Sequence, residues 1–275
     1  MSLGVGLIGC GAIGTVLAHA IDEGQAGNAR LVIMYDLIIE KARALAERLK
    51  SKPIVANSFR ELIECRDVSL VIEAASQDAV RSYAIEILKA GKDLMIMSVG
   101  ALVDSALTSR IRRCAVEAGR KVYIPSGAIA GLDGIKSAAV GRIGSVTLTT
   151  RKPIRALMGA PYFKEGGIKL ENLKEPTIIY EGAAVEACRL FPANVNVAAA
   201  LSLAGIGPER TKVKIIADPT IRRNIHEIEA EGEFGRVKIR VENVPSPQNP
   251  KTSFLAALSA IATLRKVTEP IIVGT

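Results

Sequence analysis

The run Gly9-Cys10-Gly11-Ala12-Ile13-Gly14, set directly behind the apolar stretch Leu3–Ile8 and ahead of a helical pattern at residues 13–21, constrains this chain more than any other part of it. Gly9 suits a sharp turn off the end of a strand. Gly11 leaves bare backbone that a bound group can approach, and Gly14 lets the following helix lie close to the strand. The start of that helix offers unbonded amides and the positive end of a dipole, which together favour an anion. Gly9, Gly11, Ala12, Ile13 and Gly14 are therefore expected to cradle a pyrophosphate at the opening of a parallel α/β sheet.

Such a unit requires a second strand ending in an acid about 20 residues past the glycines, where a carboxylate can bind the ribose hydroxyls of a dinucleotide. Residues 31–36 meet this requirement, with Asp36 as the ribose ligand. The competing use of Asp36 is to cap a helix starting near Glu40. A carboxylate here repels a 2′-phosphate and favours NAD as cofactor, while Lys41 and Arg43 leave NADP open.

Helical patterns at residues 40–50, 58–64, 78–90 and 105–118 alternate with unbroken apolar runs at 54–55, 69–74, 94–98 and 122–124. That order describes a Rossmann doubly wound parallel sheet covered on both faces. Ligands of such sheets lie beyond the carboxyl ends of the strands. Ala75 and Ser76, then Ser98, Val99 and Gly100, then Ser126-Gly127-Ala128-Ile129 follow three strand ends and suit the nicotinamide half of the cofactor.

Past residue 125 the pattern changes. Residues 146–151 alternate, residues 152–176 form a loop rich in Gly and Pro, and sheet resumes at 178–180. Helices are expected at 183–190 and 194–204, strands at 213–217, 224–231 and 237–241, a linker at 245–250 and a final helix at 252–264. We expect residues 1–125 plus 249–275 to form the dinucleotide-binding domain. Residues 126–248 are expected to form an α+β catalytic and dimerisation domain with a mixed or antiparallel sheet.

The net charge of +8 would permit a nucleic-acid partner, but the Lys and Arg residues are scattered and only five Tyr and five Phe are available for stacking. The excess is read instead as a field for anionic small molecules, with no nucleic acid. Cys10, Cys65, Cys114 and Cys188 are widely spaced and only His19 and His226 could join them, so neither a metal nor a disulfide framework is expected. A strand starting at Leu3 leaves no room for a signal peptide, and residues 195–208 are too short and interrupted to span a bilayer. A cytoplasmic protein with no membrane partner is expected.

For chemistry, period two on residues 224–230 sets His226 on one face with Ile228 and Ala230, away from Glu227 and Glu229. An inward imidazole can serve as a core group or as a proton acceptor near neutrality. Asn194 and Asn196 head an apolar helix, where capping explains Asn194 and leaves Asn196 for a ligand.

The glycine run, Ser126-Gly127-Ala128-Ile129, Thr150-Arg151-Lys152-Pro153, Phe191-Pro192-Ala193-Asn194-Val195-Asn196-Val197-Ala198-Ala199, Ala217-Asp218-Pro219, Asn224-Ile225-His226 and Asn249-Pro250-Lys251-Thr252-Ser253 together resemble the L-aspartate dehydrogenase family, which makes iminoaspartate for NAD synthesis. The resemblance implies that His226 is the active-site histidine and that Ala128 and Asn196 contact the cofactor. It implies oxidation of a dicarboxylic amino acid at Cα, with hydride passing to the nicotinamide, and a homodimer is plausible. Two substrate carboxylates call for cations or amides. Arg151, Lys152 and Lys251 adjoin the domain junction. Each reads first as a solvated surface charge, and Lys251 and Asn194 are taken as the substrate ligands. The alternatives are a two-domain reductase of the dihydrodipicolinate reductase or homoserine dehydrogenase type, or a non-catalytic NAD-binding regulator. No His-His pair of the first type occurs.

Overall fold

Leu3–Ile8 forms β1 and Ala12–Asp22 the helix α1, and the alternation continues through β2 (Ala29–Tyr35), α2 (Ile39–Arg48), β3 (Ile54–Val55), α3 (Phe59–Glu64), β4 (Leu70–Glu73), α4 (Gln77–Lys89), β5 (Asp93–Ile96), α5 (Ser105–Ala118) and β6 (Val122–Tyr123). In this computed structural model, which describes residues 2–163, 170–192, 196–246 and 249–274, with backbone alone at 249–252, the six strands are parallel in the order β3-β2-β1-β4-β5-β6. Both faces are covered, so Val5, Leu7, Leu70, Ile72 and Met95 are wholly buried, which is why these strands read as unbroken apolar runs. Strand order reverses between β1 and β4, where Ile8 lies opposite Glu73. Ser58, Ser76 and Asp104 cap α3, α4 and α5 by accepting from Glu61, Ala79 and Leu107 amides.

The second half contains α6 (Leu132–Ala138), β7 (Ile143–Lys152), α7 (Ile154–Leu157), β8 (Thr177–Ala183), α8 (Ala184–Leu190), α9 (Asn196–Ala204), β9 (Lys212–Ala217), β10 (Asn224–Gly232), β11 (Gly235–Asn243), β12 (Pro245–Ser246), β13 (Asn249–Ser253) and α10 (Phe254–Thr268). Five of its strands form one sheet in the order β11-β10-β7-β9-β8. β7 runs antiparallel to β10 and parallel to β9, so the sheet is mixed. One face is covered: Val146, Leu148, Thr150 and Lys152 of β7 are buried, as are Asn224, His226, Ile228 and Ala230 of β10.

The chain divides into two units, Met1–Pro125 with Ala257–Val273 and Ser126–Ala256 with Gly274–Thr275. The return to the first unit thus comes at Ala257 and not at Asn249. The expected linker at 245–250 is instead a small ladder between β12 and β13, and the helix after it begins at Phe254. Ala260, Ile261 and Leu264 of α10 join the core of the first unit with Leu17 and Ala18. The helix α6 had no counterpart in the sequence reading, because Gly131, Gly134 and Gly141 look like turn residues; the burial of Ile135 and Ala138 holds it nonetheless.

Candidate active site

The three glycines differ in what surrounds them. Gly9 has φ of +93°, and a Cβ there would stand 2.7 Å from the Ala74 carbonyl. At Gly14 a Cβ would stand 1.9 Å from the Gly9 carbonyl oxygen, whereas at Gly11 it would meet nothing within 4 Å. Two glycines are needed by the protein itself, and the third leaves a space. α1 starts on that space with Ala12 and Ile13, without a side-chain cap and without an acid in its first turn. Its amides are therefore available to a phosphate.

Asp36 is not the cap of α2, which follows Ile38. One of its oxygens accepts from the Cys10 amide at 2.7 Å and the other from the Ile38 amide at 2.9 Å, tying the end of β2 to the glycine turn. Gly9, Tyr35, Asp36, Ala75, Ser76 and Tyr83 line a cleft of ≈ 150 Å³. Phe59 stacks on Tyr83 at 4.0 Å beside it. An open helix start, an acid at the ribose position and a cleft between them fit a dinucleotide. Cys10 is a buried, inert thiol whose pKa is pushed up to about 12 by burial and then by the Asp36 charge.

Sequence reasoning missed Glu73, the last residue of β4. It is 1% exposed and its Oε1 accepts from the amides of Ala75 (2.8 Å) and Ser76 (2.9 Å) and from the Ser98 hydroxyl (2.8 Å). Its Oε2 accepts from the Ser98 amide at 3.0 Å. One carboxylate thus fixes the loops after β4 and β5, bringing Ser98 to Ala75 and Ser76. Val99 and Gly100 follow in a buried 3-10 turn. Burial raises the Glu73 pKa against the opposing effect of these bonds. The available signal was an acid closing the apolar strand Leu70-Val71-Ile72.

In the second unit His226 is 2% exposed and its Nδ1 lies 3.0 Å from Thr150 Oγ1, on the strand facing it. Lys152, two residues along β7 and so on the same face, is 4% exposed. Burial pushes the lysine pKa down to about 8. Burial first, and the Lys152 charge second, push the imidazole down to about 3. The near-neutral value of an unperturbed imidazole therefore does not carry over to His226, which burial holds toward its neutral form. The expectation that Lys152 is a solvated surface charge is overturned as well. Arg151, on the opposite face, pairs with the buried Asp218 at 3.6 Å.

One row further along the face, Asn224 and Asn243 are paired and both buried. Asn243 Nδ2 donates to the Ala128 carbonyl at 2.9 Å, which fastens the Ala128 loop near the His226 row, while its Oδ1 is buried with no hydrogen-bond partner among the described residues. A Cβ on Gly127 would stand 3.8 Å from Val197, the neighbour of Asn196 at the head of α9. Ala128, Asn196 and His226 therefore share one region of this unit. Asn194 lies outside the described residues. Lys251 lies on β13, and its side chain is outside them too.

Residues 133–267 match the family model for the aspartate dehydrogenase C-terminal domain, and residues 9–125 match the one for the homoserine dehydrogenase NAD binding domain. The L-aspartate dehydrogenases of Methanosarcina barkeri and Methanosarcina acetivorans are 53% and 54% identical to this chain over 273 residues, 99% of it and 100% of each relative. The chain belongs to the L-aspartate dehydrogenase family. The crystal structure of aspartate dehydrogenase from Thermotoga maritima matches it with a TM-score of 0.78 at 31% identity, covering 100% of both chains.

Membership divides the chain accordingly: a front half, residues 9–125, that matches the homoserine dehydrogenase NAD binding domain, and a rear half, residues 133–267, that matches the aspartate dehydrogenase C-terminal domain. His226, Thr150, Lys152, Asn224 and Asn243 all fall in that rear half. Among the described residues no group of three or more His, Cys, Asp or Glu could hold a metal ion, and no helix is long and apolar enough to cross a membrane.

Proposed function

We propose that this chain oxidises L-aspartate to iminosuccinate, which is hydrolysed to oxaloacetate and ammonia or passed on toward NAD synthesis. A nicotinamide cofactor, when bound, supplies the acceptor for the hydride leaving the substrate Cα. In this reading the α1 amides at Ala12, Ile13 and Gly14 hold the pyrophosphate beside Gly9 and Gly11. Asp36 holds the ribose and favours NAD over NADP. Ala75, Ser76, Ser98, Val99, Gly100, Ala128 and Asn196 position the nicotinamide half, and Asn194 and Lys251 face the substrate.

The observation that carries the reading is the buried imidazole of His226. Its Nδ1 is engaged by Thr150, and with Nδ1–H donating to the Thr150 Oγ1 the lone pair that remains for a ligand is on Nε2. An α-ammonium cannot release hydride while protonated, and a neutral imidazole is the group able to take its proton. Once that proton has passed to solvent, the same nitrogen can activate water against the imine. A homodimer goes with this reading, supported by the outer face of the β10–β11 part of the sheet, whose side chains are exposed or half-buried. A cytoplasmic location goes with it as well.

The test is the growth of reduced-nicotinamide absorbance with L-aspartate, against D-aspartate and L-glutamate and with NAD against NADP. L-Aspartate with NAD should be fastest, and no turnover of L-aspartate with either cofactor would end the proposal. His226→Ala should lose kcat by about a hundredfold or more with NAD binding retained.

A further inference from the structure

We infer that Lys152 is the cation that receives one carboxylate of the dicarboxylic substrate, directly beside His226. The inference rests on the reaction proposed above and adds a residue to it. A lysine buried this deeply ordinarily has a carboxylate or several carbonyls around its ammonium. Lys152 has neither: among the described residues it makes no ion pair and no side-chain hydrogen bond, although it is 4% exposed. Asp218 is the buried acid of the same unit among the described residues, its amide bonded to the Lys152 carbonyl at 2.9 Å. Its carboxylate is occupied, one oxygen by the Arg151 guanidinium and the other by the Thr220 amide and hydroxyl.

The position is defined by register. Thr150 lies opposite His226, so Lys152 is its diagonal neighbour on the covered face, about 7–8 Å away backbone to backbone. A second polar atom on the same face, Asn243 Oδ1, is also buried and also without a partner among the described residues. The register sets Lys152 and Asn243 on either side of Asn224, in the row next to His226, and a donor and an acceptor there without partners among the described residues are complementary to a ligand that carries an anion and a protonated amine. Covering the Lys152 charge with a carboxylate also removes the repulsion that the ammonium exerts on a protonated His226. The substrate would thereby make the imidazole a better acceptor of its own proton: the substrate N–H bond breaks, its electron pair stays on nitrogen, and the proton passes to Nε2.

The experiment titrates succinate, an unreactive dicarboxylate, into the NADH-bound protein by calorimetry, and measures steady-state kinetics with L-aspartate, for wild type, Lys152→Met and Lys152→Gln. Both variants should weaken succinate at least thirtyfold and raise KM for L-aspartate about a hundredfold, with NADH affinity within twofold and a melting temperature no lower than wild type. Succinate affinity and KM within threefold of wild type, in whichever variant keeps its fold, overturn the assignment. If wild type binds succinate but leaves L-aspartate unoxidised, the proposed reaction falls, and the succinate titration still decides the place of Lys152.

Discussion

Among the described residues each half of the molecule buries one lysine, and the two are held in opposite ways. Lys92, in the first unit, is 5% exposed and its ammonium donates to the Cys65 carbonyl at 2.7 Å and the Val68 carbonyl at 2.8 Å. Lys152, in the second, is 4% exposed and has no such partner among the described residues. The same contrast holds for the buried carboxylate Glu73, which has four donors around it, against Asn243, whose Oδ1 has none among the described residues. A buried polar group that is fully bonded is part of the scaffold. One left unbonded costs free energy in the empty protein, and a ligand is the natural means of recovering it.

The contrast can be sharpened first at the glycines, where the effects are largest. Gly14→Ala sets a Cβ 1.9 Å from a backbone oxygen that no side-chain movement can relieve. We expect a loss of about 3 kcal/mol or more in urea unfolding, together with nucleotide binding. Gly11→Ala meets no protein atom within 4 Å. It should keep most of its stability while weakening NAD at least tenfold, and equal behaviour of the two variants would remove the distinction between structural and ligand-facing glycine.

The lysines themselves come next. Lys92→Met strips the buried Val68 carbonyl of its lysine donor and leaves the Cys65 carbonyl with the Val68 amide alone, and about 1–3 kcal/mol should be lost. Lys152→Met replaces an unpaired buried ammonium by an apolar side chain of similar length and should gain about 1–3 kcal/mol at pH 7. Opposite signs in thermal and urea unfolding are the expected result. A Lys152→Met protein destabilised as much as Lys92→Met would mean that the two lysines do the same work.

An effect smaller than the difference between the two lysine variants is expected at Glu73. Glu73→Gln turns an amide NH₂ toward donors that previously shared two acceptor oxygens, so about 1–3 kcal/mol should be lost and NAD affinity should fall roughly tenfold. If stability falls and NAD affinity does not, the carboxylate braces the sheet without shaping the cofactor loops.

These residues also mark how far the sequence could be read. The front sheet was legible because each of its features is local: glycine spacing, unbroken apolar strands, and Asp36 at the right distance. The inward side of His226 followed from period two, and the strand pairing bears it out. Lys152 was not legible, because Thr-Arg-Lys-Pro reads as a charged strand end. Its burial depends on β7 being central, between β10 and β9, a long-range fact that alternation cannot reveal. Glu73 was hidden for the same reason, since its donors come from Ala75, Ser76 and the distant Ser98. The imidazole pKa was misjudged because an unperturbed value was carried into a site where burial and a neighbouring ammonium both oppose protonation.

That last point yields the smallest and most specific prediction. A histidine whose folded pKa, about 3, lies below its unfolded value near 6.5 binds its proton more readily in the unfolded chain. Its contribution to stability is therefore present above about pH 6.5 and is lost as pH falls toward 3. Between pH 6.5 and 5.5 alone the loss should be about 1 kcal/mol. His226→Gln can still hydrogen-bond Thr150 Oγ1 but takes up no proton on unfolding, so its urea midpoint should be flatter over that interval by the same amount. Lys152→Met should move the lower end of the window upward, because the ammonium no longer repels the imidazolium. Identical slopes in wild type and His226→Gln would show that the ring titrates freely in the fold. The unbonded face of the second unit would then be wetter than the burial of its side chains requires.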